Sequence, residues 1–252
     1  MIRYVFAMHV PPFGRALNLP LTLGELQAAG FAPAAPPAGG PGLQVTSGPQ
    51  LLASGPAAVT QHQSLAITFD DGPHPEGTPR MLETLAEFDA KATFFVIGEQ
   101  VAKRPALARM IVTEGHAIGL HGFVHRPHPL RSAADLAEDF KRGVAAIEDA
   151  TGTQPRLHRP PFGIYSPASL RIARERALQP LLWSKWGRDW RKVTTPEQIT
   201  ARVVNGVKAG DVILLHDADY YSARCSHRRT AAALPEIMKT LKSAGLGTVT
   251  YA

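Results

Sequence analysis

From residue 64 to its end, the chain alternates short apolar runs with longer amphipathic runs. Rich in β-branched and aromatic residues, the apolar runs are typical of strands, and the longer runs have the period of helices. The predicted strands are 65–69, 92–97, 117–120, 156–159, 181–186, 212–215 and 247–251. The predicted helices are 79–88, 99–113, 133–150, 167–177, 196–207 and 231–243. This alternation predicts the α/β class, with a parallel sheet that is either open or closed into a barrel.

The first 60 residues differ from this pattern. Ala, Pro and Gly crowd residues 29–42, and no clear period is present there. We predict an irregular N-terminal extension over residues 1–60, containing a short helix at 22–29, and a globular domain over residues 61–252. The 252 residues are 44% hydrophobic and 19% charged, which is ordinary for a globular protein with a sizeable core.

Charge, cysteine and hydropathy exclude several classes of protein. The net charge is +6, but the basic residues are dispersed rather than arranged in a stripe, which argues against nucleic-acid binding. Cys225 is the only cysteine, so an intrachain disulfide and a cysteine metal cluster are excluded. No apolar run reaches the roughly 20 residues of a membrane span. Prolines interrupt the apolar start, which makes a poor export signal, so we expect an intracellular protein unless that signal lies outside this chain.

Ionisable residues follow the predicted strands at the point where several of them end. They are Asp70-Asp71, His121, Arg159, Asp189-Trp190 and His216-Asp217. In parallel sheets and barrels, functional sites are built at the carboxyl ends of the strands. The sequence therefore predicts that these side chains share one site.

Asp70 and Asp71 end the first predicted strand, directly before a Gly-Pro turn. Burying unpaired carboxylates costs several kcal/mol, so this pair does not belong to an apolar core. Because neighbouring residues of a strand point to opposite faces, we expect the two aspartates to have different roles. A solvated turn is the alternative interpretation.

His121 and His125 have the spacing that places two imidazoles on one face of a helical turn. With one aspartate they would form a three-ligand metal site that leaves a position open for water. The other aspartate would act as general base on that water, and His216 would protonate the leaving group. The alternatives are an incidental histidine pair and, for His216, a loop residue paired with Asp217. The remaining histidines receive no functional role, and His116 and His128 are predicted at the surface or in loops.

Five segments, taken in order, resemble the motifs of the polysaccharide deacetylases (carbohydrate esterase family 4). The segments are residues 68–73 (TFDDGP), His121 with His125, residues 159–163 (RPPFG), Asp189-Trp190 and residues 214–216 (LLH). The resemblance covers about residues 64–252. It identifies 61–252 as a polysaccharide deacetylase catalytic domain and leaves residues 1–60 unexplained.

The resemblance implies a distorted (β/α) barrel, similar to a TIM barrel, with about seven parallel strands. It also implies a metal-dependent hydrolase. Asp70 would be the general base, and the metal would be held by three residues, Asp71, His121 and His125. Zinc is the expected metal, with cobalt, nickel or manganese as alternatives.

The same resemblance implies roles for the residues around this centre. Arg159 would orient the ionised Asp70, and Asp189 would pair with His216 and favour its protonated form. The backbone N–H of Phe162 would stabilise the oxyanion. The substrate-binding residues would thus be Phe162, Trp190 and Leu214, of which the last two would wall a small acetyl pocket.

Three positions depart from the family pattern. Gly122 stands where Ser or Thr is usual, so we expect a looser metal site. Trp186 replaces a common Asp, which predicts an altered substrate groove. Phe162 replaces a common Tyr, with little consequence expected if the backbone N–H acts.

The predicted function is therefore removal of acetyl groups from a glycan, with a metal-bound water as nucleophile. N-deacetylation of an N-acetylglucosamine-type polymer or oligosaccharide is the first interpretation. The alternatives are an O-deacetylase similar to acetyl xylan esterases, a non-sugar C–N hydrolase and a catalytically silent carbohydrate-binding relative. An acetylated glycan is the expected partner. The sequence alone leaves the glycan, the oligomeric state and the compartment open.

Overall fold

The computed structural model describes residues 51–52 and 63–251 of the chain. The strands are β1 (Leu51–Leu52), β2 (Ser64–Asp70), β3 (Thr93–Val96), β4 (Ala117–Leu120), β5 (Leu157–His158), β6 (Gln179–Pro180), β7 (Lys185–Trp186), β8 (Val212–His216), β9 (Gly247–Thr248) and β10 (Thr250–Tyr251). The helices are α1 (Gly77–Glu87), α2 (Gly98–Lys103), α3 (Pro105–Thr113), α4 (Ala133–Thr151), α5 (Pro167–Glu175), α6 (Pro196–Val204) and α7 (Ser226–Ser243). Two 3-10 turns cover His128–Leu130 and Pro161–Gly163. The predicted helix at 22–29 and nearly all of the predicted extension lie outside the described residues.

Seven parallel strands form the central sheet in the order β6-β5-β4-β3-β2-β8-β7. β9 pairs in parallel with the start of β2, and β1 pairs antiparallel with β10. The parallel α/β prediction is confirmed. Among the described residues, no helix is both long and apolar enough to cross a membrane.

The sheet curls into a distorted barrel because a very short segment joins its two edge strands. β6 and β7 lie at opposite ends of the strand order, yet only residues 181–184 separate them along the chain. Such a segment spans at most about 18 Å from Pro180 to Lys185, so the two edges must approach each other. On one side Leu181 N–H donates to the His158 carbonyl at 3.0 Å, and on the other Ser184 N–H donates to the Val212 carbonyl at 2.9 Å. We call residues 181–184 the seam.

The single strand predicted at 181–186 is therefore wrong. Its apolar residues Leu181, Leu182 and Trp183 are buried, but they cross from one sheet edge to the other instead of extending a ladder. An apolar run indicates burial and does not distinguish a ladder from a buried crossing segment.

Two of the predicted helices differ most clearly from the observed ones. The predicted helix 99–113 is two helices, because Pro105 lacks an N–H and begins a new helix after Arg104, whose φ is −141°. The helix predicted at 231–243 begins earlier, at Ser226. The sequence pattern missed its first turns because they carry polar side chains without an apolar period. A capping box formed by Thr195 and Gln198 begins α6.

The two faces of β2 divide the core. Ile67 and Phe69 point toward the helices and belong to the larger apolar cluster, whereas Ala66 belongs to the smaller cluster inside the barrel. Since side chains alternate along a strand, Thr68 and Asp70 share the inner face with Ala66. Asp70 therefore reaches the site from the inside of the barrel, at the carboxyl end of the strand.

Candidate active site

The structure brings the predicted site residues together at the carboxyl ends of the strands. A single pocket is lined by Asp70, Asp71, His121, His125, Phe162, Trp190, Leu214 and His216. The two other predicted residues, Arg159 and Asp189, are fully buried beneath this pocket and contact its lining. All of the predicted site residues thus belong to one arrangement.

Arg159 holds Asp70 from inside the barrel. Its Nη1 donates to Asp70 Oδ1 at 2.8 Å and to Thr68 Oγ1 at 2.8 Å. Its Nε and Nη2 donate to the carbonyls of Leu181 and Leu182, at 2.8 and 3.1 Å. Burial raises the pKa of Asp70 above its usual value, and the guanidinium opposes part of that rise. Asp70 is therefore a fixed carboxylate with one oxygen, Oδ2, directed toward the histidines.

Asp71, His121 and His125 converge on one point. Asp71 Oδ1 lies 3.5 Å from His121 Nε2 and 3.4 Å from His125 Nε2, and it is buried without a hydrogen-bond partner. Ligand atoms about 2.1 Å from a tetrahedral zinc lie about 3.4 Å apart. The spacing and the unpartnered oxygen therefore fit a shared divalent cation.

The protonation of these groups also suits a metal. His121 Nδ1 lies 2.7 Å from the Arg159 carbonyl oxygen, to which it donates, so the Nε2 lone pair is left for the cation. Burial lowers the pKa of His121 and of His125 to about 3, which keeps both imidazoles neutral. Burial raises the pKa of Asp71 to about 7, because no cation compensates the charge of this buried carboxylate.

The loop between His121 and His125 is supported although it contains Gly122 in place of Ser or Thr. This glycine has a φ of +86°, in the region that favours glycine, so Ser or Thr would be strained here. The loop is held instead by Asp139 of α4, which accepts hydrogen bonds from the N–H groups of Phe123 at 2.7 Å and Val124 at 3.3 Å. Arg131 pairs with the same carboxylate. A buried carboxylate thus anchors the segment between His121 and His125.

A second cluster of possible ligands consists of His74, Asp219 and His227. Unlike His121, His74 in this cluster has no nitrogen lone pair free for a cation. His74 Nδ1 accepts hydrogen bonds from the backbone N–H groups of Glu76 and Gly77, at 3.1 and 3.0 Å. The neutral ring therefore carries its proton on Nε2, which faces Asp219 Oδ1 at 3.4 Å. Without a free lone pair, His74 serves as a cap for α1 and a donor to Asp219.

On the opposite side of the pocket, Asp189 holds His216. The Asp189 carboxylate lies 2.8 Å from His216 Nδ1, accepts the His216 backbone N–H at 2.7 Å and accepts Thr230 Oγ1 at 2.8 Å. Burial lowers the pKa of His216, but the buried carboxylate outweighs that effect and raises it to about 10. His216 is therefore an imidazolium at neutral pH, facing the aspartate and metal-ligand side.

Aromatic rings form the pocket wall. Trp183, Trp186 and Trp190 follow one another, with ring centroids 6.0 and 5.3 Å apart, and Trp190 meets the His216 ring edge-on at 5.5 Å. Phe162 has a φ of 62° and places its ring 4.5 Å from that of His125. Trp186 belongs to this wall, where the family pattern commonly has a carboxylate.

Sequence reasoning missed Tyr221 beside the site, and it placed Asp217 at a strand end without giving it a role. Tyr221 stacks on His125 with centroids 4.3 Å apart, and its hydroxyl donates to Glu99 Oε1 at 2.6 Å. Asp217 accepts a hydrogen bond from Thr78, and its carboxylate lies so close to Gly72 that a side chain there would collide with it. The tyrosine pair at 220–221, soon after His216, was the available signal.

His116 and His128 are buried, so their predicted surface or loop placement is wrong as to exposure. His116 Nδ1 accepts the Ala92 N–H at 3.2 Å, and the His128 ring packs against Phe140 and His158. Both rings fill core positions, which a lone histidine in the sequence does not reveal.

Comparison with known proteins places these features in a family. The profile described as polysaccharide deacetylase matches residues 57–181. A peptidoglycan-N-acetylglucosamine deacetylase of Bacillus cereus is 39% identical over 188 residues, which cover 74% of this chain and 85% of that protein. The chain belongs to the polysaccharide deacetylase family. A chitooligosaccharide deacetylase of Azorhizobium caulinodans is 34% identical over 75% of this chain and 93% of its own length.

A solved structure supports the same membership at the level of the fold. The family 4 acetyl xylan esterase from Clostridium thermocellum, determined with a cobalt ion, is 36% identical and has a TM-score of 0.67. The similarity covers 74% of this chain and 87% of that one. The distorted barrel expected of a polysaccharide deacetylase is thus confirmed.

Proposed function

We propose that this polysaccharide deacetylase removes acetyl groups from N-acetylglucosamine units of a glycan by hydrolysis of the amide bond. One observation carries the proposal. On one side of the pocket, the candidate metal ligands lie beside the fixed carboxylate of Asp70, and on the opposite side lies His216, held as an imidazolium. This arrangement provides a base on one side of an acetamido group and an acid on the other. The names of the two deacetylase relatives support an amino-sugar substrate.

Asp71, His121 and His125 would hold the divalent cation, whose chemistry is to acidify a water molecule and to polarise the acetyl carbonyl oxygen. Zinc suits two imidazoles and one carboxylate with an open position. Cobalt is a second candidate, because the related esterase was determined with it.

Asp70 acts as the general base. Its Oδ1 is occupied by Arg159, so Oδ2, 3.7 Å from His121 Nε2, is the oxygen directed to the reacting water. As the water attacks the acetyl carbon, its proton passes to Asp70. The full burial of Arg159 fixes the orientation of Asp70 before substrate arrives.

His216 acts as the general acid. An amine is a poor leaving group unless its nitrogen is protonated, so breaking the C–N bond requires a proton donor on the leaving-group side. His216 carries that proton because Asp189 stabilises the imidazolium. The proton passes to the sugar nitrogen as the bond breaks, which yields acetate and a free amino group.

The remaining residues shape the place of reaction. Trp190 and Leu214 line the pocket and would enclose the acetyl methyl group. The backbone N–H of Phe162, in its left-handed turn, would donate to the developing oxyanion. Trp183 and Trp186 would offer apolar faces to sugar rings.

The test is acetate release from chitin oligosaccharides, peptidoglycan fragments and acetylated xylan, with metal-stripped protein and again after addition of zinc or cobalt. Metal-dependent release from the first two substrates is the expected result. Release from acetylated xylan alone would instead support the O-deacetylase activity named for the Clostridium esterase. Stoichiometric metal binding without release from any glycan would contradict the proposal.

A further inference from the structure

The two histidines of the candidate metal centre are held in different ways. His121 donates its Nδ1 proton to the Arg159 carbonyl at 2.7 Å, which fixes the orientation of the ring. The His125 ring forms no hydrogen bond with another residue in the described part of the chain, and its Nε2 lies 3.4 Å from Asp71 Oδ1. A metal-binding imidazole usually has a partner on its second nitrogen that keeps its orientation. The orientation of His125 must therefore come from packing.

The backbone support from Asp139 does not fix this ring. Asp139 accepts the N–H groups of Phe123 and Val124, and His125 follows them on an irregular segment. An anchored backbone sets the position of the Cα atom, but the side chain still has several rotamers about its own bonds. The side chain of His125 is nevertheless only 7% exposed, so neighbouring groups enclose it.

Two aromatic rings flank His125. The Tyr221 ring lies nearly parallel to it, with an interplanar angle of 11° and centroids 4.3 Å apart. Phe162 meets it at 58°, with centroids 4.5 Å apart, but this residue is 37% exposed and has no polar group that could hold its ring. Because close-packed neighbours resist displacement, a tilt of the imidazole would require the tyrosine ring to move. Tyr221 is thus the better support, provided that its own ring is fixed.

The Tyr221 ring is fixed at its far end by α2. Its hydroxyl donates to Glu99 Oε1 at 2.6 Å and accepts from Gln100 Nε2 at 3.2 Å. Arg104 Nη1, directly after the helix, donates in turn to Gln100 Oε1 at 2.8 Å. The ring therefore joins the start of α2 to an imidazole of the metal centre. A side chain held at both ends has little freedom to rotate.

We infer that Tyr221 is a positioning residue that keeps the His125 imidazole turned toward the shared cation. The inference rests on the metal centre of the proposed function and extends the support of that centre to the loop at residues 217–225, between β8 and α7. Tyr221 also lines the pocket, so direct contact with the sugar is the competing interpretation. The face that stacks on His125 is not available to a sugar ring.

The first measurement is zinc affinity, which needs no substrate. Competition with a chelator gives the Kd as zinc is returned to the metal-stripped full chain. Tyr221→Leu should weaken zinc binding about tenfold, the lower end of the effect expected when the support of a metal ligand is removed. Tyr221→Phe keeps the stacked ring and should bind zinc more tightly than Tyr221→Leu. In the cobalt-loaded protein, Tyr221→Leu should also change the visible absorption bands, which depend on ligand geometry.

The matched control is Tyr220→Leu, which removes the neighbouring tyrosine of the same loop. This ring is also half-buried, but it packs on His74 with centroids 5.1 Å apart and does not line the pocket. The zinc Kd of this variant should stay within about twofold of wild type. Tyr221→Gln, whose polar side chain suits a half-buried loop, provides the same comparison if Tyr221→Leu does not fold.

Turnover then distinguishes positioning from substrate contact. At saturating zinc, Tyr221→Leu should lower kcat on chitin oligosaccharides about tenfold and keep KM within about twofold of wild type. An unchanged zinc Kd in Tyr221→Leu, with or without a raised KM, would overturn this inference and leave the proposed function intact. Equal weakening of zinc binding in Tyr220→Leu or in Tyr221→Phe would overturn it too, because the stacked ring would then not be what holds His125. A wild-type chain that binds neither zinc nor cobalt would instead remove the metal centre of the proposed function, and this inference with it.

Discussion

Asp70 and Asp71 are identical neighbours with different environments. Asp70 is on the inner face of β2 and accepts a hydrogen bond from Arg159, whereas Asp71 has a φ of 81° and a buried oxygen without a partner. The first is neutralised by a permanent cation inside the barrel. The second is compensated only when a cation joins it to His121 and His125. Local backbone geometry thus gives the proposed base and the proposed metal ligand different environments.

We expect Asp70→Asn to abolish nearly all turnover and to keep the metal. An amide cannot accept the proton of water, and general-base catalysis contributes about 100- to 10,000-fold. Acetate release and the bound-metal content of the same preparation are measured together. Substantial activity in this variant, or loss of the metal, would contradict the separate roles of the two aspartates.

We expect the proposed acid, His216, to set the alkaline limit of activity. Its pKa is raised to about 10 chiefly because the Asp189 carboxylate outweighs the effect of burial, so removing that charge must lower it. In Asp189→Asn we expect the alkaline limb of the kcat/KM profile to move to lower pH, because the acid loses its proton earlier. Thr230→Val is the control, since it removes one hydrogen bond and keeps the charge. An unchanged limb in Asp189→Asn would show that another group sets it.

At the scale of elements, α4 supports the loop between His121 and His125, the two proposed histidine ligands. Asp139 points from this helix into the loop and accepts two backbone N–H groups, while its side chain is only 1% exposed. The loop therefore takes its shape from a helix that contributes no metal ligand. This explains why the glycine after His121 does not imply an unsupported loop.

We expect Asp139→Ala to weaken metal affinity by about 10- to 100-fold, the usual effect of removing support from metal ligands. Competition with a chelator measures the Kd. Glu138→Ala, on the exposed side of the same helix, is the matched control and should bind metal as wild type does. Equal affinity in the two variants would show that the loop holds its shape without Asp139.

At the scale of the whole molecule, Arg159 ties the barrel together. The residue follows β5, its guanidinium bonds to Thr68 and Asp70 of β2, and it donates to two carbonyls of the seam. The ring of Phe95 on β3 lies 4.1 Å from the guanidinium carbon. The arginine that holds Asp70 is thus also the polar centre of the barrel interior.

Arg159→Met should lower the free energy of unfolding by about 3–5 kcal/mol, because it leaves Asp70 buried without its cation. The double variant with Asp70→Asn should recover part of that loss and no activity. Denaturant unfolding of the metal-free proteins measures both. Arg171→Met, at an exposed site, should change stability by less than about 0.5 kcal/mol. A double variant no more stable than Arg159→Met would indicate that the seam contacts matter more than the ion pair.

Local pattern was sufficient to predict most elements and to place the candidate site residues at strand ends. Strand periodicity places Asp70, His121 and His216 at strand ends, and parallel strands bring their carboxyl ends to one edge whatever the details of packing. The motif order then identifies the family, and the comparisons confirm it. These features are predictable because they depend on short-range sequence.

The sequence by itself determined the α/β class, the strand ends that carry the site and the residues able to bind a metal. Only the tertiary structure decided how the two edges of the sheet come together. The buried run 181–184 has the sequence pattern of a strand, and its role as a connection is visible only when the two edge strands on either side of it are known. The tertiary structure also decided which histidine cluster can hold a cation, since the free lone pair depends on what the other ring nitrogen contacts: a carbonyl for His121 and backbone N–H groups for His74. The first contact joins residues far apart in the chain, and the second depends on the geometry of a turn. The periodicity of the sequence encodes neither of them.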